Sequence, residues 1–272
     1  MITSLYLLIN LRRPLLIEGH PGLGKTDTAN VLASYLSTDL IRLQCYEGLD
    51  INSSVYEWNY QKQLLAIKIQ EGLDRSVKEK EEYIFGKEFL LERPLLKSIL
   101  NENQPPVLLI DEIDRADEEF EALLLELLSD FQISIPEMGT IKAKHIPYVI
   151  LTSNRTRDLS DALKRRCLYH WIDYPDLEKE LKIVRKKLPE IDEEMVLQIV
   201  KFIQELREKK LNKTPGVAET LDWTRALLAL NKNILDKQTI EETLGCILKS
   251  TEDILSVKGE GIENILSQAL SG

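Results

Sequence analysis

The chain has 272 residues, 43% of them apolar, which is enough for a sizeable core plus a smaller appendage. Its 35 lysines and arginines against 45 aspartates and glutamates give a formal charge of −10, which opposes non-specific attraction to nucleic-acid phosphates while leaving room for a local basic patch. No apolar run approaches the roughly 20 residues that cross a bilayer, and residues 5–9 are too short and lack a basic leader, so a cytoplasmic protein with no membrane partner is expected.

In chain order, residues 14–18 read as a buried strand, and the next eight, Gly19-His20-Pro21-Gly22-Leu23-Gly24-Lys25-Thr26, fit the pattern G-x-x-x-x-G-K-[ST] at every fixed position. Residues 27–36, opening on Asp27, then place Ala29, Leu32, Ala33 and Leu36 on one helical face. Between a strand and a helix, glycines let successive N–H groups point inward around an anion, and the helix adds the positive end of its dipole. Lys25 would reach the β- and γ-phosphates of a nucleotide, and Thr26 would offer its hydroxyl to a bridging magnesium ion. A chance glycine turn beside a solvated lysine is the alternative, and the context disfavours it.

Residues 40–46 form the next expected strand. The stretch 47–94 interrupts the pattern, and its mixed run Asp74-Arg75-Ser76-Val77-Lys78-Glu79-Lys80-Glu81-Glu82 marks a solvated helix or loop. The apolar strand 107–111 ends in Asp111-Glu112-Ile113-Asp114, at the carboxyl end where an open parallel sheet keeps its ligand crevice. Asp111 would hold the magnesium shell, and Glu112 would orient and deprotonate a water for attack on the γ-phosphate. Alone, these acids would read as a solvated helix start, because Asp117-Glu118-Glu119 follow; the upstream loop favours hydrolysis.

Pro136 and Gly139 within 132–143 suggest a hairpin projecting from the core. Strands at 145–152 and 168–174 complete an alternation with helices that implies a parallel sheet covered on both faces. From Asp176 only helices follow, at 177–188, 193–210, 221–230, 240–249 and 251–270. In Asp173-Tyr174-Pro175-Asp176 the proline stops the strand and Asp176 caps the next helix, dividing the chain into an α/β nucleotide-binding domain, 1–175, and a helical lid, 176–272. Cys45, Cys167 and Cys246 stand too far apart for a zinc ribbon or disulfide framework, and His20, His145 and His170 are equally scattered, so no protein-only metal site is expected.

The order of these pieces resembles a family. The phosphate loop, Asp111-Glu112, the strand Tyr148-Val149-Ile150-Leu151-Thr152 with Ser153-Asn154, then Ala162-Leu163-Lys164-Arg165-Arg166 and a helical lid together look like the AAA+ ATPases, and most like their MoxR branch. The run from Leu159 to Pro175 is similar to MoxR-type proteins linked to carbon monoxide dehydrogenase maturation. The resemblance implies a five-stranded parallel sheet flanked by helices, ATP with Mg2+, and a homo-oligomeric ring of six subunits. It also implies a client protein remodelled by ATP hydrolysis, beside a partner bearing a von Willebrand factor A domain.

Carried over by position, the polar sensor falls on Asn154, which is also a routine strand-end turn residue. The arginine finger falls on Arg166 with Arg165 as its rival, against a plain surface cluster as the alternative, and the nucleotide-sensing arginine of the lid falls on Arg225. A guanidinium supplied across a subunit border offsets charge developing on the transferred phosphoryl group. The chain departs from the family at residues 1–13, which leave little room for the segment that helps hold the adenine; either further residues precede this start or 2–10 form a helix beside the nucleotide. The inserts that touch partners in the family correspond to 47–94 and to the hairpin. Two other readings stand beside this one: a P-loop nucleic-acid motor or clamp-loading factor, against which the acidic balance argues, and a nucleotide-binding scaffold without turnover. A small-molecule kinase is disfavoured by the late basic cluster and helical lid.

Overall fold

The computed structural model describes residues 1–70, 76–232 and 234–271. They form two compact units, one of Met1–Gly19 with Lys25–Trp171 and one of His20–Gly24 with Ile172–Gly272.

The first unit runs α1 (Ile2–Leu11), β1 (Leu15–Gly19), α2 (Lys25–Leu36), β2 (Leu40–Gln44), α3 (Ile51–Ser54), β3 (Tyr56–Trp58), α4 (Tyr60–Gln70), α5 (Val77–Ile84), β4 (Leu90–Glu92), α6 (Pro94–Leu100), β5 (Val107–Asp111), α7 (Glu118–Asp130), β6 (Gln132–Ile135), β7 (Gly139–Lys142), β8 (Tyr148–Ser153), α8 (Asp161–Arg166) and β9 (Leu168–Ile172). Five strands make one parallel sheet in the order β2-β5-β8-β1-β9, with helices on its faces. β5 and β8 are buried along their whole length, as strands covered on both sides must be, whereas edge strand β2 alternates between buried and exposed residues. Register matters for chemistry: Gln44 lies beside Asp111, and Glu18 beside Ser153, so the carboxyl ends of β1, β2, β5 and β8 share one rim.

The expected hairpin is present as β6 and β7, paired from Gln132↔Lys142 to Ile135↔Gly139. β8 starts later than the apolar pattern suggested, at Tyr148, directly after Pro147, which has no N–H to give a ladder. Among the described residues, the insert at 47–94 holds the small β3-β4 sheet and the helices α3, α4 and α5. Asp74 and Arg75 of its mixed-charge run lie outside the described residues. The rest of that run is helical, opened by a reciprocal cap in which Ser76 Oγ accepts from the Glu79 N–H and Glu79 Oε2 accepts from the Ser76 N–H.

The second unit carries α9 (Leu177–Lys187), α10 (Glu193–Arg207), α11 (Val217–Ala229), α12 (Lys237–Ile247), α13 (Thr251–Glu260) and α14 (Ile262–Ser271). Asp176 caps α9 by accepting from the Lys179 N–H at 2.8 Å. The apolar periodicity at 251–270 suggested one helix, but there are two, separated at Gly261 with φ +89°. α11 begins four residues earlier than its apolar pattern, because the Gly216 N–H donates to Glu219 Oε2 at 2.9 Å and so satisfies a helix-start donor. Trp223, Phe202 and Ile203 are fully buried among the apolar faces of these helices.

Beneath α9, α10 and α11 lies an ion pair from which water is excluded. Arg207 grips Glu180 with both nitrogens, at 2.6 and 2.7 Å, while Gln204 and Thr220 donate to the same carboxylate. Removing one member leaves the other charge buried without compensation, which costs about 3–5 kcal/mol. Arg207→Met should therefore lower unfolding stability by that amount in urea titrations, and Glu180→Leu added to it should recover a substantial part.

Candidate functional site

The loop between β1 and α2 closes through two positive-φ glycines, Gly22 at +75° and Gly24 at +77°, a region that side chains rarely adopt. Lys25, the first residue of α2, is only 6% exposed and donates from Nζ to the Gly19 carbonyl at 2.9 Å, spanning the loop. Burial lowers its pKa below the ordinary value, opposed in turn by the charges of Asp114, Asp111 and Glu112. Three acids separated from Lys25 by more than 85 residues of chain therefore act on one ammonium.

Asp111 is the meeting point. Thr26 Oγ1 donates to its Oδ1 at 3.0 Å, Thr152 Oγ1 donates to the same oxygen at 2.6 Å, and Arg42 donates to Oδ2 through Nη2 at 2.6 Å and Nε at 3.1 Å. Three strands and the loop helix thus fix one carboxylate that is 2% exposed. Thr152 also accepts from the Glu112 N–H at 3.0 Å. Glu112 itself is in the left-handed region, φ 55° and ψ 49°, an uncommon state for a residue with a side chain, and its carboxylate pairs with Arg115 Nε at 2.8 Å.

Asp114, one turn further, is buried and accepts from the backbone N–H of Asn154 at 3.2 Å, the N–H of Thr156 at 2.8 Å and the Thr156 hydroxyl at 2.7 Å. It holds the Asn154 turn against the end of β5. The Asn154 carboxamide, partly exposed, has no hydrogen-bond partner among the described residues. On β1, buried Glu18 accepts from the Tyr169 hydroxyl at 3.1 Å, with Arg155 Nε 3.8 Å away.

Of the residues singled out in sequence, Gly19, Lys25, Thr26, Asp111, Glu112 and Asn154 are brought together on this rim. Asp27 is exposed on the first turn of α2, with Asn30 donating to it at 3.4 Å. His20 and Pro21 group with the helical unit, where the His20 ring stacks on Tyr174 at 4.6 Å and 15°. There the Ala218 N–H donates to the Gly22 carbonyl at 3.1 Å, and a Cβ on Gly216 would stand 2.6 Å from the Pro21 carbonyl. Leu23 is partly buried beside them. Helix α11 therefore meets the loop through its first turn, while Arg225, two turns on, is exposed and paired with Asp222 at 3.0 Å.

Arg166 is folded onto its own chain, with Nε donating to Ser129 Oγ at 2.5 Å and Nη1 to the Ala162 carbonyl at 3.0 Å. Arg165 is exposed, and its guanidinium has no partner among the described residues. Cys45 and Cys167 are buried, and burial pushes both thiols up to about 12, which leaves them as packing groups. No group of three or more His, Cys, Asp or Glu among the described residues is arranged to hold a metal, and no described helix is long and apolar enough to cross a membrane.

Sequence reasoning missed Arg42, Thr152 and the buried role of Asp114. The available signals were weak: an arginine on an outward position of an edge strand, and a threonine at the end of an apolar run.

The sequence model of the ATPase family associated with various cellular activities (AAA) matches residues 15–172, more than half the chain. The chain belongs to the AAA family. Members of this family are usually oligomeric rings that bind nucleotide with Mg2+. An uncharacterized protein of Staphylococcus aureus (strain bovine RF122 / ET3-1) is 26% identical over 266 residues, covering 90% of this AAA chain and 92% of its own. Another from Staphylococcus haemolyticus (strain JCSC1435) is 27% identical over 231 residues, covering 82% and 79%. Among solved structures, a substituted RuvB of Thermotoga maritima is similar at 20% identity and a TM-score of 0.50, covering 89% of this chain and 68% of that one. At that identity the likeness shows the fold alone.

The lowered pKa of Lys25 has a consequence for stability. Below its folded pKa the protein must bury a charge that the unfolded chain solvates; between that value and 10.5 the folded state has already shed the proton, so stability rises with pH through this window. Lys25→Met should therefore stabilise the nucleotide-free AAA protein near pH 7, and its advantage should shrink by pH 10, as read from urea midpoints at the two pH values.

Proposed function

We propose that this AAA protein hydrolyses ATP to ADP and phosphate, and the observation that carries the reading is the 3.0 Å hydrogen bond from Thr26 Oγ1 to Asp111. A threonine hydroxyl that gives its proton to a carboxylate keeps its lone pairs for another ligand, here in the first turn of the helix that follows the glycine-containing loop. That donor set, one hydroxyl and one carboxylate beside a buried lysine, fits Mg2+ on a triphosphate, which is an oxygen-seeking ion held by few protein groups. When bound, Mg2+ would offset charge on the β- and γ-phosphate oxygens.

The chain's own residues take the remaining tasks. Lys25, held over the loop by the Gly19 carbonyl, would exchange that acceptor for phosphate oxygens. Glu112 would orient and deprotonate the attacking water after releasing Arg115, and the unpaired Asn154 amide would hold that water or report the γ-phosphate. In a ring the finger would come from a neighbouring subunit, and Arg165, exposed and unpaired, is more available for it than Arg166, whose guanidinium is spent on Ser129 and Ala162. Arg225 would contribute to nucleotide sensing only after leaving Asp222.

We place the chain in the MoxR branch, as a cytoplasmic chaperone-like ATPase with an ATP-binding domain at 1–175 and a lid at 176–272. It would form a hexamer that remodels a client beside a von Willebrand factor A partner, in metalloenzyme maturation. The resemblance of residues 159–175 supports this finer reading.

Phosphate release tests the hydrolytic proposal. Glu112→Gln should lower it by about 100-fold or more while leaving nucleotide binding intact, because a general base contributes at least that much. A scaffold without turnover predicts no difference between the two proteins. Lys25→Ala and Arg165→Ala subunits, each inactive alone, should regain part of the activity when mixed, since each hybrid border can unite a whole loop with a whole arginine; Arg166→Ala in place of Arg165→Ala should behave less severely.

A further inference from the structure

A groove in the first unit is left unused by the nucleotide chemistry. A cavity of about 610 Å3 opens between the loop at 48–52 and the first turns of α7, and a second of about 160 Å3 continues it under the β6-β7 hairpin. The two share Ile51, Tyr56 and Leu123, so they form one trough of a size that accepts side chains of a ligand. Its floor is apolar, with Ile51 47% exposed and Phe120 and Leu123 beneath.

Its rim has a single sign. Asp50, Asp117 and Glu119 line the larger cavity and Glu126 the smaller, and among the described residues no lysine, arginine or histidine lines either. Asp50 and Asp117 each use Oδ1 to cap a helix, accepting from Ser53 and Phe120 at 2.9 Å, and the Ser53 hydrogen bonds hold the Asp50 carboxyl below its usual range, so it stays charged. Glu119 is exposed and has no partner among the described residues. Glu126 Oε1 accepts from Ser134 at 2.9 Å, which fixes its charge at the hairpin end.

An apolar trough beneath unopposed carboxylates selects against anions and rewards a ligand that brings both kinds of group. We propose that this groove receives a peptide segment of a partner protein in which lysine or arginine alternates with large apolar side chains. The apolar side chains enter over Ile51, Phe120 and Leu123, and the cations reach the carboxylates above them. Complementary charge of this kind governs partner choice and the rate of encounter more than raw affinity.

The test is fluorescence anisotropy of a labelled decapeptide alternating lysine and leucine, without nucleotide, so that its outcome is independent of ATP hydrolysis. The peptide should bind the wild-type chain, and its counterpart alternating glutamate and leucine should bind at least tenfold more weakly. Glu119→Lys and Ile51→Ser should each weaken binding fivefold or more, with the isosteric Glu119→Gln standing in if the lysine variant does not fold. Glu178→Lys on α9, a side chain 86% exposed, makes the same change in net charge elsewhere and should shift affinity less than twofold. Equal losses in Glu119→Lys and Glu178→Lys would reduce the effect to bulk charge and overturn the proposal. So would full binding by Ile51→Ser, or equal binding of the two peptides.

Discussion

The Asp111 carboxylate is the constraint on which the candidate site depends. It sits at the end of a strand buried on both faces, and its two oxygens are occupied by hydroxyls from α2 and β8 and by a guanidinium from β2. An ionised carboxylate with so little exposure is tolerable only when its lone pairs are satisfied in this way. The consequence is geometric: the phosphate-loop helix, the acid pair and the Asn154 turn hold one arrangement because each is tied to the same group or to its neighbour, Asp114.

Both acids of the pair are matched with arginines. Arg42 rests on Asp111 and Arg115 on Glu112, and both guanidinium groups are more than half exposed. Of the two, only the Arg115 pair has its carboxylate partly exposed as well, and a pair of that kind is worth about 0–1 kcal/mol, weak enough to be exchanged for a new ligand; Asp111 is buried, so its pairing with Arg42 is not a surface ion pair. Glu112 is moreover held in a left-handed backbone state by the hydrogen bond of its N–H to Thr152, which is where stored strain at a reacting group is commonly found. The same threonine serves Asp111 and Glu112, so a single hydroxyl sets the relation between the two acids.

The helical unit uses a different device for the same end. Arg207 joins Glu180 inside the helices, donates to the Pro215 carbonyl at 2.9 Å, and lies over the Tyr174 ring at 4.9 Å. Pro215 precedes the turn that brings Gly216 against Pro21, and Tyr174 carries the stacked His20. One buried arginine thus positions both groups that meet residues 20–22.

Local sequence was sufficient wherever the physics is local. Eight consecutive residues specify the phosphate loop because glycine conformation and helix starts depend on near neighbours, and apolar periodicity located the five strands to within a few residues. The acid pair was legible for the same reason, as charged residues directly after an apolar strand. Tertiary structure alone decided that Asp114 is a buried tether instead of a solvated helix acid, that Arg42 faces Asp111 across two strands, and that Arg166 is engaged while Arg165 is not. It also decided that Glu180 and Arg207, on two different helices, meet as an ion pair shielded from water inside the helical unit. Partners separated by tens of residues meet only after strand order and helix packing are fixed, and burial, which sets the strength and protonation of a charge, does not exist until they do.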